Sequence, residues 1–292
     1  MIERITIGRI ARLLGVERTE LALLASRAEY LYRHRRKTTG RKKRIISEPE
    51  EELKSVQREL AAKVMSSLPM SLASFSVKGG GVVRAALEHL SHPHMLVLDL
   101  ADCFPAMGLR LIRAGLQRAG LTEEAAGIVT RLVTVKGALP QGAPTSSVVL
   151  DIVLHDLDRE LSALAVDYDS RYTRYADDLC FSGPHELSSI ASRARLIIRR
   201  HGFRINERKT RLTGPQDAHV VTGISVSDEL HPRPGYTRGL AAKLRRAKRA
   251  KHACNVDKLQ GQVAWVMSLN RTEGRELHER HPWLWTQTRR EE

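Results

Sequence analysis

Arg171-Tyr172-Thr173-Arg174-Tyr175-Ala176-Asp177-Asp178-Leu179-Cys180-Phe181-Ser182 places two adjacent carboxylates between short apolar and aromatic runs. The pattern predicts a β-hairpin with the acids at its turn. Neighbouring carboxylates repel unless a cation sits between them, and hard divalent cations such as Mg²⁺ are held by a few carboxylates together with substrate phosphates. An Asp-Asp pair standing alone is ordinarily a solvated turn, so its meaning depends on what the rest of the chain brings to it.

The 292 residues suffice for a full core in a multi-lobed chain or two to three subdomains. Lys and Arg total 48 against 33 Asp and Glu, a formal charge of +15 that favours a polyanionic partner. Nucleic acid is the first candidate, and a ribosome or an anionic membrane surface would suit the same balance. Cys103, Cys180 and Cys254 show no metal-ligand spacing and fit a reducing cytoplasm. The start carries an acid and no apolar leader, and no run of about 18 apolar residues occurs, which argues against secretion and membrane spanning.

Outward from the Asp pair, Met95-Leu96-Val97-Leu98 reads as a buried strand closed by Asp99, with Asp102 and Phe104 before a break at Pro105. Asp99 is an ordinary strand-end acid unless the fold returns it beside Asp177. Gly137 to Ser147 is a rigid Gly/Pro loop that presents Gln141-Gly142, with Thr145 or Ser146 able to cap the apolar helix that follows. Residues 109 to 136 and 186 to 200 read as packing helices. Lys209 is a surface cation or a proton donor to a leaving pyrophosphate.

The tract from Arg33 to Arg44 holds eight Lys or Arg and no acid. It reads as a basic loop between folded elements, solvated or gripping phosphate. Helices are expected over the first 32 residues and over 50 to 69, with Gln57 on the surface. Gly79-Gly80-Gly81 is a flexible turn or a backbone approach to phosphate, and His89 reads as a structural hydrogen-bonder before a ligand. From Arg238 to Lys251 seven Lys or Arg surround an Ala/Leu helix that can track a phosphate backbone. Trp283 and Trp285 suit aromatic packing before base stacking.

The order Asp99, Gln141-Gly142-Ala143-Pro144, Tyr175-Ala176-Asp177-Asp178, Gly202 to Lys209, Val221-Thr222-Gly223 resembles the ordered motifs of reverse transcriptases over roughly residues 30 to 240. It is most similar to the bacterial retron type, whose hallmark Val221-Thr222-Gly223 matches, as does a fingers motif at Arg44-Ile45-Ile46 with Pro49, Leu53 and Gln57. Two elements depart: Ala85 stands where the family's NAxxH element has Asn, and Cys103-Phe104-Pro105-Ala106 stands where relatives tend to read Phe-Phe-Pro-Ser.

The resemblance implies an α+β right-hand polymerase fold: N-terminal helices and fingers over 1–94, an α/β palm with an antiparallel sheet over 95–225 holding a fingers insertion at about 109–136, and a helical thumb over 226–292. It implies that Asp99, Asp177 and Asp178 hold two Mg²⁺ ions about 4 Å apart, with Mn²⁺ able to substitute. Lys209 is the implied general acid, and Arg44, Phe104, Gln141 and Gly142 border the incoming dNTP, Phe104 rejecting a 2′-hydroxyl. Lys42, Lys43, His89, Arg238, Lys243, Arg246 and Arg249 are the implied nucleic-acid contacts. The implied activity is RNA-directed DNA polymerisation in the cytoplasm, copying a cognate msr-msd type RNA into branched RNA-linked DNA (msDNA), with an effector protein, in defence against phage. Other readings are a group II intron-like or abortive-infection reverse transcriptase, the intron type disfavoured because the sequence stops at Glu292, and a non-catalytic RNA-binding scaffold.

Overall fold

The computed structural model describes residues 4–39, 42–76, 79–250 and 255–286, with the side chains of residues 39, 42, 43 and 250 outside that description. Two helices come first, α1 (Ile7–Leu14) and α2 (Arg18–Arg27). The basic tract is then not a loop but an antiparallel hairpin, β1 (Tyr32–Thr39) with β2 (Lys42–Pro49), Tyr32 facing Pro49 and Lys37 facing Arg44. Its strands survive their charge because Arg33, Arg35, Arg36, Lys37 and Arg44 are exposed and two of them meet acids, Arg33 with Glu50 at 3.1 Å and Arg35 with Glu48 at 2.6 Å.

In α3 (Glu51–Glu59) Gln57 is fully buried, contrary to the surface reading. Its Nε2 donates to Tyr32 Oη at 2.8 Å and to the Leu132 carbonyl at 2.7 Å, which ties the hairpin to the helical body. A π-helical turn over Leu60–Val64 and a 3₁₀ turn over Met65–Ser67 continue α3.

After the short α4 (Val82–Leu87) comes β3 (His94–Asp99), which lies inside a four-stranded antiparallel sheet. The chain then runs through α5 (Cys103–Ala106), α6 (Leu109–Arg118), α7 (Glu123–Val133) and the long α8 (Ser146–Asp167). It returns as β4 (Arg171–Tyr175) and β5 (Asp178–Gly183), crosses by α9 (Ser188–Arg200), and adds β6 (Arg211–Thr213). The strand order is β4-β5-β3-β6.

The two-residue period of a strand sorts the sheet's faces. Leu96, Leu98, Leu179 and Phe181 enter the main core shared with the helices, whereas Met95, Val97 and Cys180 pack on the opposite side against Val221, Ile224 and Val226. Those residues belong to a second sheet, β7 (Val220–Val221), β8 (Ile224–Val226) and β9 (Leu230–Pro232). Its first hairpin turns on Thr222 and Gly223, with φ of 50° and 86°, the left-handed pair a two-residue turn calls for.

The C-terminal helices α10 (Tyr236–Ala250), α11 (Val256–Leu269), α12 (Arg271–Arg280) and α13 (Trp283–Thr286) build a separate core from Leu240, Leu244, Leu259, Val263, Val266, Leu277 and Leu284. Trp283 and Trp285 pack against it, as their sequence context suggests. No helix among the described residues is long and apolar enough to cross a membrane.

Candidate active site

Antiparallel pairing of β3 with β5 sets His94 opposite Gly183 and carries the register to Asp99 opposite Asp178. The same-face rule then points both carboxylates to the side of the sheet that meets the β7–β8 hairpin. Asp177 sits with Ala176 in the two-residue connection between Tyr175 and Asp178, and Ala176 holds a left-handed φ of 53°. Backbone bonds fasten the turn and the strand end: the Leu100 amide donates to the Asp177 carbonyl at 2.9 Å, and the Asn206 amide, from the segment that carries Lys209, to the Asp99 carbonyl at 2.8 Å.

Asp178 titrates at about 6, pushed up first by burial, then by the Asp177 and Asp99 charges, with Lys209 pulling the other way. The Cys103 thiol is raised to about 12 by burial and by Asp177. Lys209 Nζ forms an ion pair with Asp99 Oδ2. Among the described residues no three acids or histidines close on one ion-sized point; Asp99 turns to Lys209 instead. The donor set nonetheless suits a hard divalent cation, since it is all carboxylate and already draws an ammonium group to itself.

Two clefts share the Asp99–Lys209 pair. The larger, of about 560 Å³, gathers Asp177, Phe104, Gln141 and Arg44. The smaller, of about 310 Å³, is bordered by Asp178, Tyr175, Arg211 and the Val221-Thr222-Gly223 turn. Gly142 does not border the larger cleft. Its φ is 115°, and a Cβ there would meet Ile46 Cγ2 at 2.8 Å, while the Gln141 carbonyl accepts the Ser47 amide at 2.8 Å. Gly142 is thus the point of close approach between the Gly/Pro loop and β2.

His89 is the structural hydrogen-bonder that its residue context suggests, and not the nucleic-acid contact that the resemblance implied. It is fully buried, with Nδ1 on Ser182 Oγ at 2.6 Å and Nε2 on Thr173 Oγ1 at 2.7 Å, and burial pushes its pKa down to about 3. A neutral ring spent on two hydroxyls offers nothing to nucleic acid. Thr145 and Ser146 do not cap α8 through their side chains: the Thr145 hydroxyl is buried without a partner, and Ser146 Oγ donates to the Pro140 carbonyl at 2.7 Å. Arg238, Lys243, Arg246 and Arg249 are exposed along α10, whereas the side chains of Lys42 and Lys43 lie outside the described residues.

Sequence reasoning missed His34 and Lys136, which also border the larger cleft. It also missed Arg174, the largest fully buried side chain, with its partners Asp151 and Asp158. The available signal was two acids seven residues apart, Asp151 and Asp158, at helical spacing with Leu154 and Leu161 on the apolar face of α8.

An antiparallel sheet with carboxylates at the end of one strand and at the neighbouring hairpin turn, flanked by a fingers hairpin and a helical thumb, is the right-hand polymerase fold. The chain belongs to the reverse transcriptase family: residues 35–226 match the family described as Reverse transcriptase (RNA-dependent DNA polymerase). Its similarity runs to retron members. It is 31% identical to Retron Mx65 reverse transcriptase of Myxococcus xanthus, over 81% of this chain and 61% of that one. It is 30% identical to Retron Mx162 reverse transcriptase of the same organism, over 80% and 56%. With Retron Ec86 reverse transcriptase of Escherichia coli it shares 30% identity over 72% and 67%. The match thus spans about three fifths of the length of the two Myxococcus relatives. Among solved structures, telomerase from Candida albicans in complex with a fragment of telomeric RNA superposes with a TM-score of 0.53 at 10% identity, over 85% of this chain and 56% of that one, which shows the shared fold.

Proposed function

We propose that the chain is an RNA-directed DNA polymerase of a retron, copying a cognate structured non-coding RNA into branched RNA-linked single-stranded DNA and acting with an effector protein in anti-phage defence in the cytoplasm. The observation that carries this is the register that sets Asp99 opposite Asp178, beside Asp177, between two clefts. Asp99, Asp177 and Asp178 would hold divalent ions, Mg²⁺ foremost with Mn²⁺ able to replace it. Such ions supply a lowered hydroxyl pKa and neutralise phosphate charge.

The chain's own side chains then position and exclude. Phe104, bordering the larger cleft beside Asp99, closes the space a 2′-hydroxyl would need and so selects dNTPs. Gln141, on the border of the same cleft, fixes the base pair, and Arg44 with Lys136 meets the triphosphate. Lys209 carries a proton at Nζ, within reach of a pyrophosphate leaving from Asp99's side. Tyr175 and Arg211 border the smaller cleft, which faces the priming end. On this reading residues 1–94 form the N-terminal helices and fingers, 95–225 the palm with its insertion, and 226–292 a thumb whose α10 grips the product duplex.

The test is sequencing of the nucleic acid that copurifies with the protein expressed from its native flanking DNA, compared with Asp177→Ala/Asp178→Ala. Short DNA joined to RNA until a debranching enzyme is added, and lost in the double variant, is expected. Unbranched cDNA would move the chain to another class of reverse transcriptase. RNA without DNA in both proteins would overturn the enzyme reading in favour of a scaffold.

A further inference from the structure

Arg174 stands three residues before Asp177 and is fully buried on β4. The period-two alternation turns Tyr172 and Arg174 toward α8, and Thr173 and Tyr175 toward the smaller cleft. On α8, Asp151 and Asp158 lie seven residues, or about two turns, apart and so share a face. Both are buried.

The guanidinium reads both acids at once. Nε donates to Asp158 Oδ1 at 2.8 Å, and Nη2 donates to Asp158 Oδ2 at 2.7 Å and to Asp151 Oδ1 at 2.6 Å. Tyr172 Oη completes Asp158 at 2.8 Å. Nη1 reaches back along its own chain to the Ala176 carbonyl at 3.3 Å. Burial works against the charge on Arg174, but Asp158 and Asp151 outweigh it.

Such a network is a poor source of stability. Desolvating three charges is costly, the trio carries a net negative charge in the interior, and Asp151 Oδ2 has no hydrogen-bond partner. What it does supply is geometry. Ala176 is a non-glycine residue in the left-handed region, a conformation that persists where its surroundings over-determine it. The Ala176 carbonyl is held by Arg174 on one side, and the Asp177 carbonyl by the Leu100 amide on the other. The peptide that aims Asp177 is therefore clamped between α8 and the end of β3.

We infer that Arg174, anchored by Asp151 and Asp158, is a positioning residue that clamps the Ala176-Asp177 turn and thereby sets the affinity of the carboxylate site for divalent cations. The inference rests on the carboxylates being the cation site proposed above. Lysine in place of Arg174 keeps the charge but has neither the fork that engages two carboxylates nor a second arm for the Ala176 carbonyl.

The experiment is Mn²⁺ titration followed by electron paramagnetic resonance on the full chain without nucleic acid, with thermal unfolding in parallel. Arg174→Lys should weaken Mn²⁺ binding about tenfold while the folded protein still unfolds cooperatively, and its dissociation constant for primer–template should change less than about twofold. Folded Arg174→Lys with wild-type Mn²⁺ affinity would overturn the inference. Should Arg174→Lys fail to fold, Asp158→Asn decides. It keeps the size of the side chain but takes away one of the two carboxylate oxygens that accept from Arg174 Nε and Nη2, so the clamp loosens and Mn²⁺ binding should weaken; unchanged binding overturns the inference. Wild-type Mn²⁺ binding that survives Asp177→Ala/Asp178→Ala would instead sink the site assignment itself, so the two failures are separable.

Discussion

A carboxylate buried beside two others favours its neutral form unless a cation compensates it, and Asp178, titrating at about 6, is in that position. Its folded pKa lies above the ordinary value, so its contribution to stability is fully present below about pH 4 and is lost as pH rises through about 6. In chelator, the wild-type protein should therefore lose stability between these limits, and Asp178→Asn should flatten that slope. At pH 7.5 the same variant should unfold a few degrees higher, by about 1–2 kcal/mol, while losing polymerisation. Equal melting curves for the two proteins across this range would refute the crowding argument. Phe104 poses a steric question in the larger cleft. Phe104→Ala should lower the ratio of kcat/KM for dNTP over rNTP by about tenfold, with dNTP turnover retained. An unchanged ratio would remove Phe104 as the sugar gate.

Elements meet at one close contact that decides how the fingers hairpin sits over the palm. Gly142 admits Ile46 and Ser47 where a Cβ would not fit, at a φ that favours glycine. Gly142→Ala should cost about 1–3 kcal/mol and raise KM for the nucleotide more than it lowers kcat, because it displaces the hairpin bearing Arg44 rather than the acids. Steady-state kinetics with thermal melting measures both, and a fall in kcat alone would place Gly142 elsewhere in the mechanism. The palm strands were legible in the sequence because an apolar run closed by Asp99, and alternating residues around Asp177, carry a strand period. The fingers hairpin was not, because cations crowd the tract and its pairing acids Glu48 and Glu50 lie beyond it. Gln57 and Arg174 were hidden for a related reason: their partners lie 75 residues away at Leu132 and 16 to 23 residues away on α8, where no local period reports them. His89 fits a sequence motif, yet motif membership does not distinguish a ligand from a buried hydrogen-bonder.

Across the whole molecule, cores and charge are divided differently. The palm sheet is covered on both faces, by the main core and by the smaller cluster under β7–β9, while the C-terminal helices keep a core of their own. Among the described side chains of α10 only Leu240 and Leu244 are buried, so that helix is free to carry exposed Arg238, Lys243, Arg245, Arg246, Lys248 and Arg249. With a formal charge of +15, much of the affinity for a nucleic-acid duplex should come from released counterions, and log K should fall linearly with log salt. Arg246→Ala/Arg249→Ala should then reduce that slope by up to about 2 and weaken binding uniformly across sequences. Because both side chains are exposed, unfolding should shift by less than about 0.5 kcal/mol. Mn²⁺ binding should be untouched, since the carboxylates sit on the palm and not on the helices. A slope equal to that of the wild type would show that the duplex bypasses α10, and the basic hairpin β1–β2 would then have to carry the phosphate contacts.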